Sequence, residues 1–226
     1  MMKRFLMVGL ALLMCVSIAD ARKKRERSGE IDKGVYTDTD YGFQFNVLDN
    51  WDGELQKKDS DFRVVLTQKD HKIPPALMPT PQLARVPTID VYICEPGFGS
   101  ALEFIDSLTS WTYSSGDKKK ILREILTLEE NVVYDGLKPS RRTSLEVDGL
   151  EAGQWEGTAE FTVKQGTFET SKRSYAVGLV EVKNGKYMLS FTITCEGTFF
   201  PTILKEATDM IKSLKWAPTE EENAEK

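Results

Sequence analysis

The chain has 226 residues, 40% hydrophobic and 29% charged, which suits one globular domain and excludes disorder of the whole chain. A net charge of −5 and a pI near 5.2 leave no basic footprint for nucleic acid.

Met1-Met2-Lys3-Arg4 is a short basic segment, residues 5–19 are apolar apart from Gly9 and Ser17, and Ala19-Asp20-Ala21 is a small-x-small cleavage pattern. Residues 1–21 therefore read as a signal peptide cut before Arg22. The expected location is extracytoplasmic, either periplasmic or secreted, with an uncleaved membrane anchor as the alternative. Cys15 follows Leu12-Leu13-Met14, a poor lipid-attachment site, because Met is large where a small residue is wanted. Residues 22–33 read as a flexible leader whose basic part holds Arg22, Lys23, Lys24, Arg25 and Arg27. Such charges attract an anionic membrane surface by about 1 kcal/mol each; the plainer reading is a solubilising leader.

A single α+β domain is expected over residues 34–216, and a disordered acidic tail over 217–226. Phe43, Phe45 and Val47 alternate with Gln44 and Asn46, a half-buried strand. The turn-rich Thr37-Asp38-Thr39-Asp40 precedes it, and Leu48-Asp49-Asn50-Trp51 is expected to end it. Residues 62–67 and 88–95 are further strands, the latter with Ile89, Val91 and Ile93 on one face and Tyr92 and Cys94 on the other.

Residues 73–87 carry Pro74, Pro75, Pro79 and Pro81 in a short run. Neither helix nor central strand tolerates that density of missing donors. A long extended loop is predicted. Its Leu77, Met78 and Leu83 make it a candidate partner-binding surface, unless they pack on the domain's own sheet.

Ser100 caps a helix predicted to reach about residue 112, with Leu102, Ile105 and Leu108 inward. A second helix is predicted over about 117–126. Beyond it the pattern turns to strands. Trp155, Ala159, Phe161 and Val163 share a face, residues 174–183 are apolar on both faces, and Asn184-Gly185 signals a hairpin. From Phe199 to Leu214 the apolar residues follow the helical period. The order gives an antiparallel β-sheet flanked by helices.

Two stretches resemble PsbP-like domains. Tyr36-Thr-Asp-Thr-Asp-Tyr-Gly-Phe-Gln-Phe-Asn-Val-Leu-Asp-Asn-Trp51 is similar to their Gly-Phe-x-Phe opening strand, with Leu48 where the family's proline is expected. Gly185-Lys-Tyr-Met-Leu189, then a helix reaching Ser213-Leu-Lys-Trp216, is similar to their close. The resemblance implies the superfamily that also holds Mog-type Ran-binding proteins and DcrB-type periplasmic lipoproteins. It implies an α/β/α sandwich with diverse roles and brings no catalytic motif.

Residues that carry chemistry are sparse. His71, the only histidine, sits in the charged run Lys69-Asp70-His71-Lys72 and is expected at a solvated surface. Asp38 and Asp40 lack the glycine and closing glutamate of a calcium loop. Asp59 with Asp61, and Glu129 with Glu130, read as solvated acids rather than an acid–base pair. Cys94 and Cys195 allow one disulfide in an exported chain, or two small buried hydrophobes. No cofactor, metal or enzyme activity is expected. The functional expectation is an exported, non-catalytic binding or assembly module whose partner is another envelope or extracellular protein. A carrier of a small apolar ligand and an enzyme of unrecognised type are the alternatives.

Overall fold

The computed structural model describes residues 27–72, 85–95, 99–109, 132–165 and 169–217. Their order is β1 (Glu30–Asp32), β2 (Val35–Asp38), β3 (Phe43–Asn46), β4 (Trp51–Leu55), β5 (Phe62–Gln68), β6 (Thr88–Cys94), α1 (Ala101–Thr109), β7 (Val132–Val147), β8 (Leu150–Gln165), β9 (Glu169–Asn184), β10 (Tyr187–Cys195), α2 (Phe200–Lys212) and β11 (Lys215–Trp216). The predicted second helix lies outside the described residues.

The strands form two antiparallel sheets. The large one has the order β4-β5-β6-β10-β9-β8-β7, and the small one β1-β2-β3-β11. The large sheet grows from tight hairpins. Asp148 and Gly149 both take positive φ, 55° and 79°. That suits the twist between β7 and β8, whose register runs from Val147 opposite Leu150. At the next hairpin Tyr187 pairs with Asn184, so the corner is Gly185-Lys186, one residue beyond the sequence signal.

Alternation decides which side chains meet. One face of the large sheet presents Val64, Leu66, Ile89, Val91, Leu189 and Phe191. It packs on Tyr36, Phe43 and Phe45 of the small sheet and on Ile203, Ala207, Met210 and Ile211 of α2. Pro201 falls in the first turn of α2, where its missing N–H costs nothing. Glu206 ties this helix to the sheet, its Oε2 accepting from Trp51 Nε1 at 2.8 Å, Asn50 Nδ2 at 3.1 Å and Gln68 Nε2 at 3.2 Å. Residues 47–50 end β3 as expected, and Trp51 opens β4. The other face packs Trp155, Ala159, Phe161, Val177 and Leu179 against Phe104, Ile105 and Leu108 of α1. A reciprocal cap starts α1: Glu103 N donates to Ser100 Oγ at 3.1 Å and Ser100 N to Glu103 Oε2 at 3.0 Å.

The architecture is α+β and mostly antiparallel sheet. It differs from a plain helix-flanked sheet in that a second sheet shares one face with α2. The domain also begins earlier than expected. Within the expected leader, Ser28 is fully buried and donates to Arg63 O, while Glu30–Asp32 pairs with β2. Ala217, assigned to the tail, donates its N–H to Gly42 O at 3.1 Å.

Candidate functional site

Among the described residues, two buried polar clusters and one open cleft are features able to carry function. The first cluster forms where the end of β2 meets β5. Asp38 Oδ1 accepts the N–H groups of Asp40 and Tyr41, each at 3.0 Å, the local turn that Asp favours. Arg63, 1% exposed, points its guanidinium into that turn. Its Nε donates to Asp38 Oδ2 at 2.6 Å, Nη2 to Asp40 Oδ2 at 2.9 Å and Ser28 O at 3.1 Å, and Nη1 to Lys58 O and Ser60 O at 2.9 Å. Tyr36 Oη donates to Asp38 Oδ2 at 3.0 Å, and burial followed by the Asp38 charge pushes its phenol well above the usual range. Every donor of the guanidinium is satisfied, so this cluster locks the two sheets together. The Asp38–Asp40 segment is a turn, as the sequence indicates, with Arg63 as its cation.

The second cluster lies on the α1 side of the central strands. Register places Asp90 opposite Thr192, and Tyr92 opposite Ser190, itself opposite Glu181. Tyr92, Glu181, Ser190 and Thr192 are fully buried. Ser190 Oγ donates to Glu181 Oε2. Burial drives the Glu181 carboxyl well above the usual carboxylate range and, with Glu181 beside it, drives Tyr92 up as well. Burial raises Asp90 to about 6, against the lowering influence of Arg85. Arg85 itself lies 6.0 Å from the centroid of the Tyr175 ring. Among the described residues no group of three or more His, Cys, Asp or Glu side chains is placed to hold a metal.

The cleft opens beside the small sheet, with a volume of about 540 Å³. Thr37, Gln44 and Lys215 form one row across β2, β3 and β11 and line it together with Phe43, Trp216 and Asp148. Lys215 Nζ donates to Asp148 Oδ1 across the cleft edge. Phe43 and Trp216 meet edge to face at 5.6 Å beneath it.

Several sequence expectations change. The candidate loop residues Pro74, Pro75, Leu77, Met78, Pro79, Pro81 and Leu83 lie outside the described residues; at the loop's end Val86 is 38% exposed. Of the basic leader cations only Arg27 is described, bridged to Lys57 and donating to Leu55 O at 2.6 Å. A Cys94–Cys195 disulfide does not form. Cys94 faces Met188, whereas Cys195 stands seven residues further along β10, opposite Ala176. At about 3.3 Å per residue that is some 20 Å, far beyond bridging reach. Burial instead pushes the Cys195 thiol up to about 12. His71 is half-buried rather than fully solvated: its ring meets Phe199 at 4.8 Å, its Nδ1 lies 2.9 Å from Gln68 Oε1, and burial lowers its pKa.

No family model and no curated protein matches the chain. Solved structures do. The cyanobacterial PsbP of Synechocystis is similar over 84% of this chain and 96% of its own, at 14% identity and a TM-score of 0.45. LpqN of Mycobacterium tuberculosis, involved in cell envelope biogenesis, is similar over 85% of this chain and 90% of its own, at 13% identity and a TM-score of 0.45. The Ran-binding protein Mog1p of Saccharomyces cerevisiae is similar over 84% and 98%, at 9% identity and a TM-score of 0.43.

Sequence reasoning missed Arg63, Glu181 and the cleft row. Arg63 and Glu181 were legible only as charged residues inside strongly apolar strands, a pattern that marks a paired or neutralised charge. The cleft row had no local signal, because its three strands come from both ends of the chain.

Proposed function

We propose that this chain is a non-catalytic binding or assembly module acting outside the cytoplasm, and that its recognition surface is the open cleft beside the small sheet. The observation that carries this is the contrast between that cleft and the buried clusters. Tyr92, Ser190 and Glu181, the groups with chemistry to offer, are sealed at 0% exposure. The open surface presents threonines, Gln44 and the Lys215–Asp148 ion pair over an aromatic floor. Hydroxyls, an amide and an ion pair recognise a polar segment of a partner and activate no nucleophile. An envelope or extracellular protein is the proposed partner, with the basic residues Arg22, Lys23, Lys24, Arg25 and Arg27 adding weak attraction to an anionic membrane.

Gln44→Trp fills the cleft from an exposed strand position without touching the core. Partners retained on the immobilised wild-type chain from its native envelope fraction are compared with those retained on the variant. The proposal requires specific loss of a partner at unchanged Tm. Identical retention by both proteins refutes the cleft as the binding surface.

A further inference from the structure

One face of the small sheet is closed and the other is open. The inner face carries Tyr36, Phe43 and Phe45 into the core. On the outer face Glu30, Gln44 and Asn46 are exposed, and the Lys215 side chain is 64% exposed. Register joins four outer residues into one row across all the strands of this sheet. Glu30 stands opposite Thr37, Thr37 opposite Gln44, and Gln44 opposite Lys215. Directly opposite residues share a face, so the row continues the floor of the cleft out to β1. It has an acid at one end and a base at the other, about 14 Å apart at the usual strand spacing. Both ends can still bond. Glu30 has no ion-pair partner among the described residues. Lys215 donates to Asp148, which leaves two of the three N–H groups of its ammonium free.

A row of this kind is complementary to itself. A second copy is turned through half a revolution about an axis that lies between the two faces, parallel to the strands and between β2 and β3. Then β1 faces β11 of the second copy, and β2 faces β3. Each Glu30 falls on a Lys215, and each Thr37 on a Gln44, so a hydroxyl meets an amide. Val35 stands opposite Asn46 in the neighbouring row and falls on that asparagine. The contact is isologous, made twice by the same two charges. A two-fold axis across the strands does the reverse. It sets β1 on β1 and brings Glu30 and Asp32 against the same acids. Electrostatic complementarity therefore selects the first arrangement.

We propose that the outer face of the small sheet docks a second copy of this chain, Glu30 of each copy pairing with Lys215 of the other across a two-fold axis. The inference rests on the reading of this face as a recognition surface, and it makes the second copy a competitor for the cleft. Four short strands cover only roughly 19 by 13 Å, far below the area of a permanent dimer. The association is therefore weak and concentration-dependent, with a dissociation constant of roughly 0.1–1 mM.

The test uses the full chain in its naturally processed form and follows its mass by sedimentation equilibrium from about 0.02 to about 1 mM. The parent is expected to pass from monomer to dimer. Association should weaken at least about fivefold as salt rises from about 50 to about 500 mM. Glu30→Lys sets lysine on lysine and Lys215→Glu sets acid on acid, so each variant alone is expected to stay monomeric while folded. Mixed in equal amounts, the two variants present opposite charges at both contacts, and the dimer is expected to return. If Lys215→Glu does not fold beside Asp148, Glu30→Lys carries the test alone from its exposed edge position. A parent that stays monomeric at about 1 mM, association unchanged in Glu30→Lys or insensitive to salt, or a mixture no better than its components overturns the proposal. Capture of an envelope partner by a strictly monomeric parent overturns this inference and leaves the proposed function standing. A dimer with the stated salt and charge dependence that captures no envelope partner does the opposite.

Discussion

Replacing Arg63 with Met keeps most of the apolar stem and removes the guanidinium. Asp38, fully buried, would keep Tyr36 Oη and the N–H groups of Asp40 and Tyr41 but lose the bonds from Nε at 2.6 Å and Nη2 at 3.2 Å. The carbonyls of Ser28, Lys58 and Ser60 would lose their guanidinium donor as well. An uncompensated buried carboxylate costs about 3–5 kcal/mol, so Arg63→Met is expected to destabilise by about 4 kcal/mol. Asp38→Asn leaves the guanidinium with Asp40 at 2.9 Å and its three carbonyls, and about 2 kcal/mol is expected. The double variant no longer holds an unpaired buried carboxylate. It should therefore cost about 2 kcal/mol less than the sum of the singles. Urea unfolding of all four proteins at pH 7 measures each value. A single variant within 1 kcal/mol of the parent, or strictly additive costs, refutes the claim that this pair locks the two sheets together.

The early start of the domain is tested at Gly29, where an added Cβ would stand 2.3 Å from the backbone oxygen of Thr37. Gly29→Ala is expected to lower stability by about 1–3 kcal/mol, whereas a flexible leader would leave Tm unchanged. Asp90 gives a pH signature. Its folded carboxyl titrates at about 6, above the ordinary 3.8, so the folded state binds this proton more tightly. The stability it confers is full below about 3.8 and is lost as pH rises through about 6, some 3 kcal/mol in all. Asp90→Asn should remove that much of the fall between pH 4 and pH 7, measured as the change in urea unfolding free energy against the parent.

The sequence by itself determined the parts of this protein that follow from neighbours along the chain. The alternation of Phe43 and Phe45, and of Ile89, Val91 and Ile93, required half-buried strands. The period of Ile203, Ala207, Met210 and Ile211 required a helix docked on them. Ser100 with Glu103 placed the start of α1, because a capping box needs only three residues of separation. Asp148-Gly149, like Asn184-Gly185, is an equally local hairpin signal. Only the tertiary structure decided where charges and strand edges went. Arg63 reads as one polar residue in a β-branched run until β2 arrives from 25 residues away with Asp38. Tyr92, Ser190 and Glu181 become one row only when β6, β10 and β9 align in register. The separation of Cys94 from Cys195 depends on the same register, and the cleft needs Thr37 and Lys215 to meet across β3. Periodicity reports which face of an element is apolar. Which elements share that face is set by long-range pairing, and pairing leaves no trace in a local window.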